Sequence, residues 1–135
     1  MLRHQLIKNL LATSPENVVD AAIYLWEQLA TQIIIIIGED GFNSLYARSL
    51  FLSQARFPWL TVSHCPPQSE HRFAELKTNL EGQSSAQAGE ATGLLLITFT
   101  DILASLIGDQ LTTLILGVAW GIDTRIELAR DSKND

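Results

Sequence analysis

The chain is poor in the features that would tie it to a disulfide scaffold, a nucleic acid or a bilayer. A single cysteine, Cys65, excludes a disulfide framework and fits a reducing compartment. Positive charge is scarce. Nine Lys plus Arg against fifteen Asp plus Glu leave a net charge of −6, whose long-range field repels phosphate backbones. There is no Gly-rich loop before a Lys-Ser/Thr pair, no dinucleotide fingerprint and no Gly-x-Ser-x-Gly, so the usual signatures of nucleotide binding and serine hydrolysis are missing. Long charge-free apolar runs are missing too. The two most apolar stretches, Val18–Ile37 and Thr92–Trp120, are interrupted by Asp20 and Glu27 in one case, and by Asp101 and Gly108-Asp109-Gln110 in the other. A carboxylate near a bilayer centre is costly unless it faces a partner. The first ten residues carry positive charge without an apolar run of signal-peptide length. The expectation is a cytoplasmic protein that engages neither membrane nor nucleic acid.

What remains is apolar and helical. Hydrophobic residues make up 47% of the 135, enough to offset the entropy of ordering one domain. Leu2, Leu6, Ile7, Leu10 and Leu11 fall at helical spacing. Ser14-Pro15-Glu16 reads as a helix start, followed by a broad apolar face from Val18 to Ile33. The five isoleucines Ile33–Ile37 continue that helix, since no turn signal precedes them and no other segment offers a partner strand. Gly38 breaks it and Asp40 is the expected cap of the next helix, whose face is Phe42, Leu45, Tyr46, Ser49, Leu50 and Phe57, widened by Phe51 and Leu52. Residues 58–68 hold three of the four prolines and read as an extended linker. Ser69 is placed to cap an amphipathic element on Phe73, Leu76 and Leu80 that stops at Gly82. After the small, polar stretch Gln83–Gly89, Thr92–Ile107 and Leu111–Trp120 form two more apolar helices around Gly108, and residues 131–135 should fray.

The prediction is an all-α, single-domain helical bundle of five to six helices over residues 1–135, built on two helix–Gly–helix hairpins. A shift of 70 residues lays Ile37-Gly38-Glu39-Asp40 on Ile107-Gly108-Asp109-Gln110. Leu25, Trp26, Leu29, Ile33 and Ile36 then meet Leu95, Leu96, Phe99, Leu103 and Leu106, while Leu45 and Tyr46 meet Ile115 and Leu116. Identities are few, and a shared helical period makes such matches easy to find. The architecture holds with or without common ancestry, because each hairpin must bury its apolar face against the other.

Candidate sites are few. Asp101 lies in an apolar run, where a carboxylate either reaches water from the edge of the helix or pairs with a cation; Arg48 is the partner expected for a buried pair. Trp59 follows a helix end and is placed to cover the bundle or anchor a partner, with Tyr46 and Phe42 as further partner or pocket contacts. His64-Cys65-Pro66 contains a Cys-Pro dipeptide, a pattern that ligates haem iron through the thiolate as well as one that occurs in plain linkers. His4, His64 and His71 form no close pair on a helix face, and no Glu-x-x-His unit is present, so neither metal nor other cofactor is expected. Neither His4 nor His71 is followed by the Leu-Lys-Gly pattern of histidine phosphotransfer domains. Glu39-Asp40 and Asp109-Gln110 put carboxylates at two bends, where helix N-termini favour them. With no nucleophile, base and orienting group to assemble, the expected role is a non-enzymatic interaction or regulatory module, homodimeric, with a possible protein partner. The alternative is a pocket between the hairpins for an apolar small molecule or tetrapyrrole.

Overall fold

Two glycines set the architecture. The computed structural model describes residues 5, 7–9, 18–60 and 73–121; 86% of these are helical and none is in a strand. Helix α1 (Val18–Ser53) is interrupted at Gly38, with φ 84° and ψ 166°, a backbone region that essentially only glycine enters. Helix α2 spans Ala74–Glu81, and α3 (Ser85–Ile107) meets α4 (Asp109–Trp120) at Gly108, with φ 97° and ψ 152°. A Cβ added at either glycine would meet nothing within 4 Å. The requirement for glycine is therefore torsional, not steric.

Gly38 turns α1 into a hairpin. In an unbroken helix Trp26 and Tyr46 would stand about 30 Å apart; their ring centroids are 5.1 Å apart. The arms 18–37 and 39–53 thus fold back on each other. The first arm runs parallel to α3. A Cβ on Gly89 would lie 3.5 Å from Val18 Cγ2, and Trp26 packs at 5.3 Å on Phe99, pairing residues at similar distances before their glycines. Both bends consequently lie at one end of the bundle. At the other end the Trp120 indole N–H donates to the Leu25 carbonyl at 3.0 Å, fastening α4 onto the first arm. Gly121 closes α4 in the left-handed conformation, φ 68°.

The 70-residue shift survives as a packing register. All eleven buried positions from Val18 to Leu50 fall on buried positions of the second hairpin: Val18 on Ala88, Ala22 on Thr92, Trp26 on Leu96, Leu29 on Phe99, Ile33 on Leu103, Phe42 on Thr112, Leu50 on Trp120, and so on. Residues 31–40 and 101–110 repeat the same order of buried, half-buried and exposed positions. Buried hydroxyls pair mostly with carbonyls three or four residues earlier: Thr92 donates to the Ala88 carbonyl at 2.7 Å, Thr112 to Gly108 at 2.8 Å and Ser49 to Leu45 at 2.8 Å, while Ser53 Oγ is buried with no partner among the described residues. Nothing polar has to cross the core to pair them.

Several expectations need correction. Ile33–Ile37 continue the helix as expected, with Ile33 fully buried but Ile35 and Ile36 75% and 50% exposed. Phe51 and Leu52 also face outward. Asp40 sits in the first turn of the second arm and not at its cap, because Gly38 itself supplies the non-helical residue. The polar stretch Gln83–Gly89 holds the solvated first turn of α3, capped by Ser84 Oγ accepting from the Gln87 amide at 3.2 Å. Helix α2 is flanked by Phe73 at its N-cap and Gly82 at its C-cap, with Leu76 and Leu80 buried as expected. Ser14, Ser69 and residues 61–68 and 131–135 lie outside the described residues.

Candidate functional site

The middle of the bundle is aromatic. Trp26, Phe42, Tyr46, Phe73 and Phe99 come from both hairpins and the residue before α2, and their centroids lie 5.1–6.1 Å apart, mostly edge-to-face. These rings occupy the space between the hairpins. Phe42 and Tyr46, read from sequence as partner or pocket contacts, are core residues. Burial pushes the Tyr46 phenol above its ordinary value, and the Glu75 carboxylate adds to the shift. The Trp26 indole N–H is buried with no hydrogen-bond partner among the described residues; its surroundings are π-systems.

The buried Asp101–Arg48 pair is not a feature of this core. Both side chains are exposed. Thr100 and Leu103 take the inward positions of α3, and a helix turns about 100° per residue, which carries Asp101 to the water-facing side. A buried carboxylate would cost far more there than a solvated one. Trp59 is half-buried, packed at 5.7 Å on Phe57 beyond the end of α1. Cys65, His64, His4 and His71 lie outside the described residues. Among the described residues no three His, Cys, Asp or Glu side chains are grouped to hold a metal ion.

Two surfaces went unread in the sequence. The first is the outer face of α4, where Leu111, Leu114 and Val118 are 46%, 37% and 68% exposed, with Leu106 at 65% just before the bend. The signal was there: α4 carries apolar residues at i, i+3 and i+7 in addition to the buried set Ile115, Leu116, Ala119 and Trp120, more than one inward face can use. The second is an open groove of about 800 Å³ at the end of the bundle opposite the bends, lined by Val18, Gly89, Gly93, Leu94 and Ile97 with Lys8, Arg56 and Glu90 at its edges. A smaller groove of about 350 Å³ shares Val18 and Ser85 with it but carries Asp20 and Glu81 instead. No sequence signal marks either groove, because each draws on segments far apart in the chain.

No family model, curated protein or solved structure matches the chain. Its chemistry has to be read from the surfaces. By length and composition, α1 and α3 are each long and apolar enough to cross a membrane. The same composition also builds the core, with the aromatic cluster and Leu95, Leu96 and Leu103 turned inward. The outward positions of these helices include Asp20 and Glu27 on α1, and Glu90 and Asp101 on α3.

Proposed function

We propose that this chain is a water-soluble, non-enzymatic interaction module that works as a homodimer, joined through the outer face of α4. The observation that carries this reading is the exposed stripe Leu111, Leu114 and Val118. Asp109, in the first turn, is the only charged residue of α4, so two copies of a chain with net charge −6 meet there with least repulsion. The stripe is also self-complementary. With a two-fold axis beside Leu114, an antiparallel pair of α4 helices sets Leu111 of one copy against Val118 of the other, the isologous pattern of a C2 dimer. The outward carboxylates on α1 and α3 favour water over lipid around the rest of the bundle, which supports the water-soluble reading.

Light scattering on the purified protein without detergent tests this. The expected result is twice the chain mass of 14.9 kDa for the wild type and a monomer for Leu114→Glu/Val118→Glu, which sets four carboxylates across the seam. A monomeric wild type, or a double variant that stays dimeric, overturns the reading.

A further inference from the structure

We propose that the groove beside α3 is a binding site for a free long-chain carboxylate, a function separate from the α4 seam. The groove's floor is apolar and shallow in side chains: Val18, Ala86, Gly89, Gly93, Leu94 and Ile97. Its volume of about 800 Å³ falls within the range of small-molecule sites, about 300–1,000 Å³. The edge decides the class of ligand. Only four cationic residues lie among the described residues, Lys8, Arg48, Arg56 and Lys77, against nine carboxylates. Two of those four, Lys8 and Arg56, border this one groove. Neither makes an ion pair among the described residues, and Arg56 lies 5.7 Å over the Phe57 ring, a contact that leaves its guanidinium edge available for a carboxylate. Glu90 also lines the groove, so among the described residues its edge carries one net positive charge. That balance suits a singly charged head group and disfavours a dianionic phosphate. The adjoining groove with Asp20 and Glu81 has the opposite sign; an anionic head is directed to one side of Val18. A hydrocarbon chain laid on the glycine floor buries apolar surface that water otherwise covers.

The test is a fluorescence titration of the full chain with cis-parinaric acid below its micellar concentration. Expected are saturation at one probe per chain and displacement by oleate. Oleyl alcohol, which lacks the charge, should displace at least tenfold more weakly. Lys8→Ala/Arg56→Ala should bind at least tenfold more weakly than wild type at unchanged helicity, while Lys8→Arg/Arg56→Lys retains binding. Ala86→Trp, at an exposed position lining the groove, should block it without touching the core. Absence of saturation, equal displacement by oleyl alcohol, or undiminished binding by both Lys8→Ala/Arg56→Ala and Ala86→Trp overturns the proposal. So does binding of the probe only in the presence of anionic phospholipid vesicles. Because Leu114→Glu/Val118→Glu leaves the groove intact, its probe binding separates failure of this site from failure of the dimer seam.

Discussion

The two hairpins agree inside and disagree outside. Their buried positions coincide at an offset of 70, and their glycines share one unusual backbone conformation. On the outer faces of the second arms, however, Ser44 and Arg48 in the first hairpin stand where Leu114 and Val118 stand in the second. Inward residues answer to packing, which both hairpins must satisfy in the same way. Outward residues answer to whatever meets them, and at these matched positions only Ser44 and Arg48 suit water, although Phe51 and Leu52 lie exposed further along the same arm. The apolar outer face is therefore informative because its counterpart shows that the fold does not require it.

The strongest way to break the internal equivalence is through the core. Phe99→Ala removes the ring that touches both Trp26 and Phe42 and should cost about 4 kcal/mol, against about 3 kcal/mol for Leu29→Ala at the matching position; denaturant unfolding measures both. A much smaller loss at Phe99 would mean that the aromatic cluster is not the core. Next in size are the bends. With open space around each added Cβ, Gly38→Ala and Gly108→Ala isolate backbone strain and should each cost about 2 kcal/mol, equal within about 0.5 kcal/mol. Unequal costs would separate the two bends.

Alkaline pH sharpens the comparison further, because Tyr46 has Leu116 as its counterpart and only the first hairpin titrates there. The folded-state value of its phenol lies above the unfolded one, through burial first and Glu75 second. Stability from keeping it neutral is full below pH 10 and declines above that, by up to about 1.4 kcal/mol per pH unit, until the folded-state value is reached. Tyr46→Phe should flatten that decline in pH-dependent unfolding; an unchanged decline would contradict the assignment to Tyr46.

Much of the fold was legible because it rests on periodicity. Apolar residues at helical spacing mark the arms, and Gly38 and Gly108 are placed where a helix must stop. The isoleucine run was legible as helix because it continues the preceding pattern, yet its orientation was not. Periodicity groups residues on a face without fixing how the edge residues point, and one residue is about 100° of rotation. The same limit governs Asp101, which one step carries from the core to water. The Trp120 bond to Leu25 spans 95 residues, and the groove joins Lys8, Arg56 and Gly89. Such juxtapositions depend on how finished helices dock, which no local pattern encodes. The outer stripe of α4 was readable in principle, as a surplus of apolar residues over what one face can bury.

The central claim is that both glycine bends lie at one end of a bundle of two equivalent hairpins. Its most direct test is a pulsed electron-spin distance measurement between labels at Asp40→Cys and Gln110→Cys, both exposed, in a Cys65→Ser background. Helices that pack side by side lie about 8–10 Å apart, so with the label arms a single population below about 30 Å is expected. A population centred at about 40 Å or more, the length of α3 and its labels, would put the bends at opposite ends and contradict the fold described here.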